Sequence, residues 1–127
     1  MGSVRVLLVL VLSFGMAQAW QRWTPAPHSL LELWDAASEG DSTAQQQLRS
    51  RAEQGDVDAQ CYMGYMYRHG HSVPKDFAQS YMWFDLAAAQ GDTEATMNRD
   101  DLEKQMTAAQ IAEAKRFSRE WKPTPAK

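Results

Sequence analysis

The chain has 127 residues and a formal net charge of −3, with 13 basic and 16 acidic side chains. This length suits one small domain, and the lack of a basic run argues against a nucleic-acid partner. The single cysteine, Cys61, cannot form an internal disulfide, which excludes a cysteine-stapled secreted scaffold. Its thiol is either buried and inert, which we favour, or free to pair with another molecule.

Residues 1–19 have the pattern of a secretory signal peptide. Arg5 supplies a positive charge, residues 6–16 form an apolar run, and residues 17–19 are a small-x-small cleavage site before Trp20. The run is shorter than the about 20 residues of a membrane-spanning helix, so an uncleaved anchor is the less favoured alternative. We therefore expect an exported protein, periplasmic or secreted, with no membrane span after cleavage.

Residues 20–28 are rich in Trp and Pro and are predicted to form an irregular arm. Trp20 and Trp23 lie in this polar segment, and amphipathic aromatic side chains are enriched at interfaces. They either fold back over the first helix or contact a partner. The sequence does not decide between the two, so both tryptophans are candidate partner-binding residues.

After the arm, capping residues and apolar periodicity predict a succession of helices. Ser29 with Glu32, and Thr107 with Gln110, have the spacing of a capping box. No segment alternates with the period of a strand. The predicted helices span about 30–38, 42–54, 57–68, 77–90, 93–105 and 108–121, and prolines end the last of them.

A short phrase recurs along these helices. It reads AEQGD at 52–56, AAQGD at 88–92 and, more faintly, ASEGD at 37–41, and an alanine lies three residues after each copy. The two clearer copies start 36 residues apart, and self-similarity at a fixed spacing in this range indicates stacked helical hairpins. The predicted fold class is therefore all-α, an α/α solenoid of stacked hairpins with about five helices after the signal peptide.

The central unit resembles the Sel-one-like repeat, which is a relative of the tetratricopeptide repeat. The run at 81–84 and several later motifs resemble the ending that is common in small exported bacterial members of this family. The signature positions are Gly55, Ala59, Met63, Gly64, Tyr67, Gly70, Val73, Asp76, Trp83, Ala88 and Gly91. The match covers about 52–91 well, 92–121 moderately and the upstream part weakly. The repeat domain is thus predicted at 29–121, with one complete repeat at about 52–91, partial or capping units on either side and a tail at 122–127.

The resemblance implies a non-enzymatic adaptor or scaffold of the bacterial envelope that binds a protein and needs no cofactor. Its partner would lie in a groove lined by helix residues and the loop at 69–75. Gln60 and Gln79 lie off the apolar stripes of their helices, so we predict that they are exposed partner contacts. A cysteine-rich, penicillin-linked branch of the family suggests an alternative, a cell-wall-associated enzyme or enzyme modulator, although this chain lacks those cysteines. A third possibility is an envelope accessory without a stable partner.

The sequence offers little for catalysis or metal binding. His69 and His71 lie close together but have no third ligand at a convincing spacing. Cys61 is two helical turns from His69, too far for a nucleophile and base pair in a straight helix. We expect no catalytic, cofactor or metal site. Asn98 falls on an otherwise apolar stripe and is predicted to be hydrogen-bonded and structural.

Overall fold

The computed structural model describes residues 29–125, and all regular structure in that range is helical. The helices are α1 (Leu30–Ser38), α2 (Ser42–Glu53), α3 (Val57–His69), α4 (Phe77–Ala89), α5 (Thr93–Glu103) and α6 (Ala108–Glu120). The all-α prediction is confirmed. The described range has six helices, one at each of the six predicted segments, although the predicted fold class gave about five; the first of them has 9 residues. The predictions made for residues 1–28 lie outside the described residues.

Each helix begins at a residue whose side-chain oxygen accepts a hydrogen bond from the first turn, where backbone N–H groups have no helical partner. The N-caps of α1 to α6 are Ser29, Asp41, Asp56, Asp76, Asp92 and Thr107. At α6 the predicted capping box is complete. The backbone N–H of Gln110 donates to Thr107 Oγ1 at 3.2 Å, and the backbone N–H of Thr107 donates to Gln110 Oε1 at 2.9 Å.

The repeated phrase builds the same turn three times. Gly40, Gly55 and Gly91 have φ angles of 101°, 98° and 96°. A Cβ at any of them would meet nothing within 4 Å, so the backbone conformation, not space, requires glycine there. The aspartate after each glycine donates its N–H to a carbonyl in the last turn of the preceding helix, at Ala36, Arg51 and Ala87.

From α1 to α5 each helix packs on the next one, α1 also contacts α3, and α6 packs on α4. One core cluster includes Leu33, Leu48 and Met63, and a second includes Phe84 and Leu102. Helix α4 supplies buried side chains to both clusters, so it is the central element of the stack.

Helices α3 and α4 approach each other closely at Gly64. A Cβ on Gly64 would lie 2.6 Å from Cε1 of Phe84, whose side chain is fully buried. Ser80, also fully buried, donates its hydroxyl to the Gly64 carbonyl oxygen at 2.7 Å. Small residues at this crossing therefore allow both the ring contact and a hydrogen bond between the helices.

The chain returns to the fold after α6. Trp121 packs against the first core cluster, and the backbone N–H of Thr124 donates to the Glu53 carbonyl oxygen at 2.7 Å. Part of the predicted tail is thus attached to the end of α2. Within residues 29–125, none of the helices combines the length and apolar character that crossing a membrane requires.

Candidate interaction surfaces

The signature residues of the central repeat build the stack. Ala59, Met63 and Trp83 are buried in the first core cluster, and Gly64 gives Phe84 its space. Gly55, Gly70 and Gly91 adopt positive φ angles at helix ends. The others either cap α4 or pack beside the two clusters: Asp76, Tyr67, Val73 and Ala88.

The prediction that Gln60 is an exposed partner contact is wrong. Its side chain is 0% exposed. Nε2 donates to the Ala52 carbonyl oxygen at 3.2 Å, and Oε1 accepts a hydrogen bond from Gln90 Nε2 at 2.9 Å. The position does lie off the apolar stripe, but it faces the last turn of α2 and not solvent. Gln60 is therefore a buried polar link between helices.

Gln45 makes the same link one unit earlier. Its Nε2 donates to the Ala37 carbonyl oxygen at 3.2 Å, again eight residues back along the chain. In the third copy Thr96 replaces the glutamine, and its hydroxyl bonds to the Asp92 carbonyl oxygen in its own helix at 2.9 Å. The Ala-Gln pair that begins three residues after Asp41 and after Asp56 marks this bond in the sequence.

The other two sets of predicted contact residues have different outcomes. Gln79 is half-buried in the first turn of α4, and its backbone N–H donates to the capping Asp76. It remains a candidate contact, since part of its side chain is accessible. Trp20 and Trp23 lie outside the described residues and remain predictions.

A polar network joins α3 to α5. Asn98 Nδ2 donates to the Tyr65 hydroxyl oxygen at 2.8 Å and to the Glu94 carbonyl oxygen at 3.0 Å. The Tyr65 hydroxyl donates to the Glu94 carboxylate at 2.5 Å. Partial burial is the larger cause, and this hydrogen bond the second, of a rise in the pKa of Tyr65 to about 12. The expectation of a hydrogen-bonded Asn98 is confirmed, and its partner on another helix is what the sequence did not reveal.

Cys61 lies in an acidic setting. It is half-buried beside a depression of about 190 Å³ that Tyr65, Asp92 and Glu94 also line. Burial, then the Asp92 carboxylate and further acidic neighbours, raises the pKa of the thiol to about 12. A reactive cysteine needs a nearby cation that favours the thiolate. The surroundings of Cys61 do the opposite, so they hold the thiol in its unreactive protonated form.

His69 and His71 pack against neighbouring rings. The His71 ring meets Trp34 edge-on at 5.8 Å between centroids, and the His69 ring lies 5.7 Å from that of His71. Partial burial, and then the nearby Arg68, lower the pKa of His69. In the part of the chain that the structure describes, no three His, Cys, Asp or Glu residues are grouped so that they could hold a metal ion.

A larger groove of about 580 Å³ opens where α5 and α6 both pack on α4. We call it the terminal groove. Its lining residues are Tyr81, Asp85, Leu86 and Ala89 of α4, Arg99 and Glu103 of α5, and Lys115, Ser118 and Arg119 of α6. No residue of the loop at 69–75 contributes to this lining. Lys75, at the end of that loop, lines a separate depression with Asp76, Phe77 and Gln110.

The two walls of the terminal groove differ in whether their charged side chains are paired. On α5, Arg99 is 2.9 Å from an Asp85 oxygen and 3.1 Å from an Asp100 oxygen. On α6, Lys115 and Arg119 are exposed, and no carboxylate within residues 29–125 lies at ion-pair distance from either. The groove thus has one wall of balanced charge and one wall with two uncompensated cations.

Residues 29–125 therefore form an α/α repeat protein, a class whose members stack helical hairpins and present extended surfaces. Comparison with protein-family profiles matches residues 57–92 to the Sel1 repeat, and this match supports a Sel1-like repeat protein. Sel1 repeats are generally protein–protein interaction modules and are typically non-enzymatic. A search of curated proteins finds no match.

Proposed function

We propose that this protein is an exported, non-enzymatic adaptor of the bacterial envelope that binds another protein through the surface of its helical stack. The observation that carries the proposal is that the signature residues of the repeat all have structural roles. These residues are occupied in core packing, turns and caps, so the outer helix surfaces are left for contact with a partner. The pattern at residues 1–19 supports export.

The titratable groups support binding and not catalysis. A general acid or base works best with a pKa near the operating pH, whereas the pKa values of Cys61 and Tyr65 are both raised to about 12. Arg99 is held by two carboxylates and is not free to polarise a substrate.

The test is affinity capture of the full chain, tagged at its C-terminus, from bacterial envelope extracts. We expect the N-terminal sequence of the captured protein to begin at Trp20. We also expect one partner to be recovered again when that partner carries the tag. Failure of the reciprocal capture would contradict the adaptor. Covalent labelling by a fluorescent penicillin would instead support the cell-wall alternative.

A further inference from the structure

We propose that the terminal groove binds an extended acidic segment of the partner protein, held by Lys115 and Arg119. The inference rests on the proposed function, because it names the site and the chemistry of the contact. The chain as a whole carries a net charge of −3, yet three cations line this groove against the two carboxylates of Asp85 and Glu103. Because Arg99 is paired with Asp85 and Asp100, the attraction for an acidic partner comes from Lys115 and Arg119.

The charge available for a partner lies on α6. Arg99 already contacts Asp85 and Asp100, so it adds little attraction for an incoming carboxylate. Lys115 and Arg119 have no such contacts among the described residues. By contrast Arg116, on the same helix, lies 3.6 Å from Glu120 and does not line the groove. The two free cations therefore define the binding wall.

Their spacing fits an extended chain. Residues four apart on a helix are neighbours on one face, about 6 Å apart along the axis. Side chains two apart on an extended segment lie on one side, about 6.6 Å apart. An acid-x-acid segment thus matches Lys115 and Arg119. The floor from Tyr81 to Ala89 is about 12 Å long, which is the length of about four extended residues.

The chain's own arm does not fit this occupant. Residues 20–28 contain Arg22 and no Asp or Glu, so Lys115 and Arg119 would repel the arm's only permanent charge. The alternative occupant is the set of acidic side chains on α5 of a second copy of this chain. That outcome is measured directly by the oligomeric state of the free protein, because a second copy in the groove gives a dimer that charge reversal on α6 would dissociate.

The experiment is a titration of the full chain with a short blocked peptide of alternating aspartate and leucine. Binding is measured by fluorescence anisotropy and by the changes in amide NMR shifts. We expect saturable binding that weakens with salt and shifts that cluster on α4, α5 and α6. Lys115→Glu with Arg119→Glu should weaken binding about tenfold or more, whereas Arg116→Glu should leave it unchanged. Lys115→Gln with Arg119→Gln is the second pair, should the double reversal disturb folding.

Three outcomes would overturn the groove. These are no saturable binding by the parent protein, equal binding by the α6 pair variants, and a dimer that the same variants convert to monomer. Reciprocal envelope capture distinguishes this failure from failure of the proposed function. If the α6 variants capture the partner as well as the parent protein does, the adaptor function is supported and the terminal groove is not the binding site. If the peptide binds but no partner is captured, the adaptor function is contradicted and binding of acidic segments in the terminal groove is supported.

Discussion

The ring of Phe84 occupies the space that a side chain on Gly64 would need. A Cβ built on Gly64 lies 2.6–2.8 Å from three ring atoms, closer than carbon atoms can pack without displacement. The ring cannot move aside easily, because Phe84 is fully buried in the second core cluster. Contact between α3 and α4, the two helices of the complete repeat, therefore depends on glycine at this position.

We predict that Gly64→Ala destabilises the protein. Alanine is the better helix former by about 1 kcal/mol, but overpacking a close-packed core typically costs about 1–3 kcal/mol, so the clash should win. Urea unfolding measures the difference. A double-mutant cycle with Phe84→Leu gives the control, since the smaller side chain should recover part of the loss. Equal or higher stability of Gly64→Ala would show that α3 and α4 separate without cost.

Local features of this fold could be predicted from sequence, because their causes lie within a few residues. The capping box at Thr107 and the turn at Gly55 depend only on neighbouring backbone groups. The role of Gln60 could not be predicted in this way. Its exposure depends on where the last turn of α2 lies, and that position follows from packing between helices. An apolar stripe marks only the most buried face of a helix.

The same distinction applies to the candidate site. Lys115 and Arg119 look like ordinary residues of a solvated helix face, and nothing near them in sequence marks a groove. The groove exists because α5 and α6 both pack on α4, which is a property of the assembled stack. The loop at 69–75 carries the recognisable repeat positions Gly70 and Val73, but these serve the turn and the first core cluster.

Gln60 should behave as a core residue. Gln60→Leu keeps the approximate volume but removes two hydrogen bonds, one to the Ala52 carbonyl oxygen and one from Gln90 Nε2. Each of these groups keeps a second hydrogen bond, to the N–H and to the carbonyl oxygen of Gly55 respectively. Because Gln60 is fully buried, we expect a loss of about 1–3 kcal/mol in unfolding free energy. Gln45→Leu removes the corresponding bond at a less buried position and should cost less. A greater loss at Gln45 would contradict the buried link.

Tyr65 should make stability depend on pH in the alkaline range. Its pKa is raised from 10.0 to about 12 in the folded protein, so the folded state holds the proton more tightly than the unfolded chain. This contribution is complete below pH 10 and is lost as the pH rises from 10 towards 12. Tyr65→Phe has no phenol to titrate, so its stability should fall less over that interval.

The measurement for Tyr65 is the difference between two urea unfolding series. Other groups with raised pKa values, such as Cys61, are present in both proteins, so their contribution cancels in the comparison. At pH values below 10 the phenylalanine variant should be the less stable protein, because Asn98 Nδ2 loses the Tyr65 hydroxyl oxygen. Parallel curves across the alkaline range would mean that the phenol titrates equally in both states.

Cys61 should alkylate slowly in the folded protein. Its thiol pKa is raised from 9.0 to about 12, and the thiolate is the reacting form. Iodoacetamide at neutral pH should therefore modify the folded chain more than about tenfold more slowly than the urea-unfolded chain. Asp92→Asn removes a carboxylate that raises the pKa and should accelerate the reaction, at some loss of stability because Asp92 also caps α5.

Asp58→Asn is the matched control for that variant. Asp58 also raises the pKa of Cys61 but does not cap a helix, so its substitution should accelerate alkylation without a comparable loss of stability. Equal rates in folded and unfolded chains would show that the acidic setting does not protect the thiol. The same result would reopen a role for Cys61 in pairing with another molecule.

The segment after α6 should contribute to stability through one backbone hydrogen bond. The Thr124 N–H donates to the Glu53 carbonyl oxygen at 2.7 Å, and proline has no N–H to donate. Thr124→Pro should therefore lower the unfolding free energy by about 0.5–1.5 kcal/mol, whereas Thr124→Ala keeps the donor and should change it little. Faster amide exchange at the Trp121 N–H, which bonds to Phe117 at the end of α6, should accompany the loss. If Thr124→Pro and Thr124→Ala both have the unfolding free energy of the parent protein, the segment after α6 lies against α2 without stabilising it. The stability of the stack would then come from the helices alone.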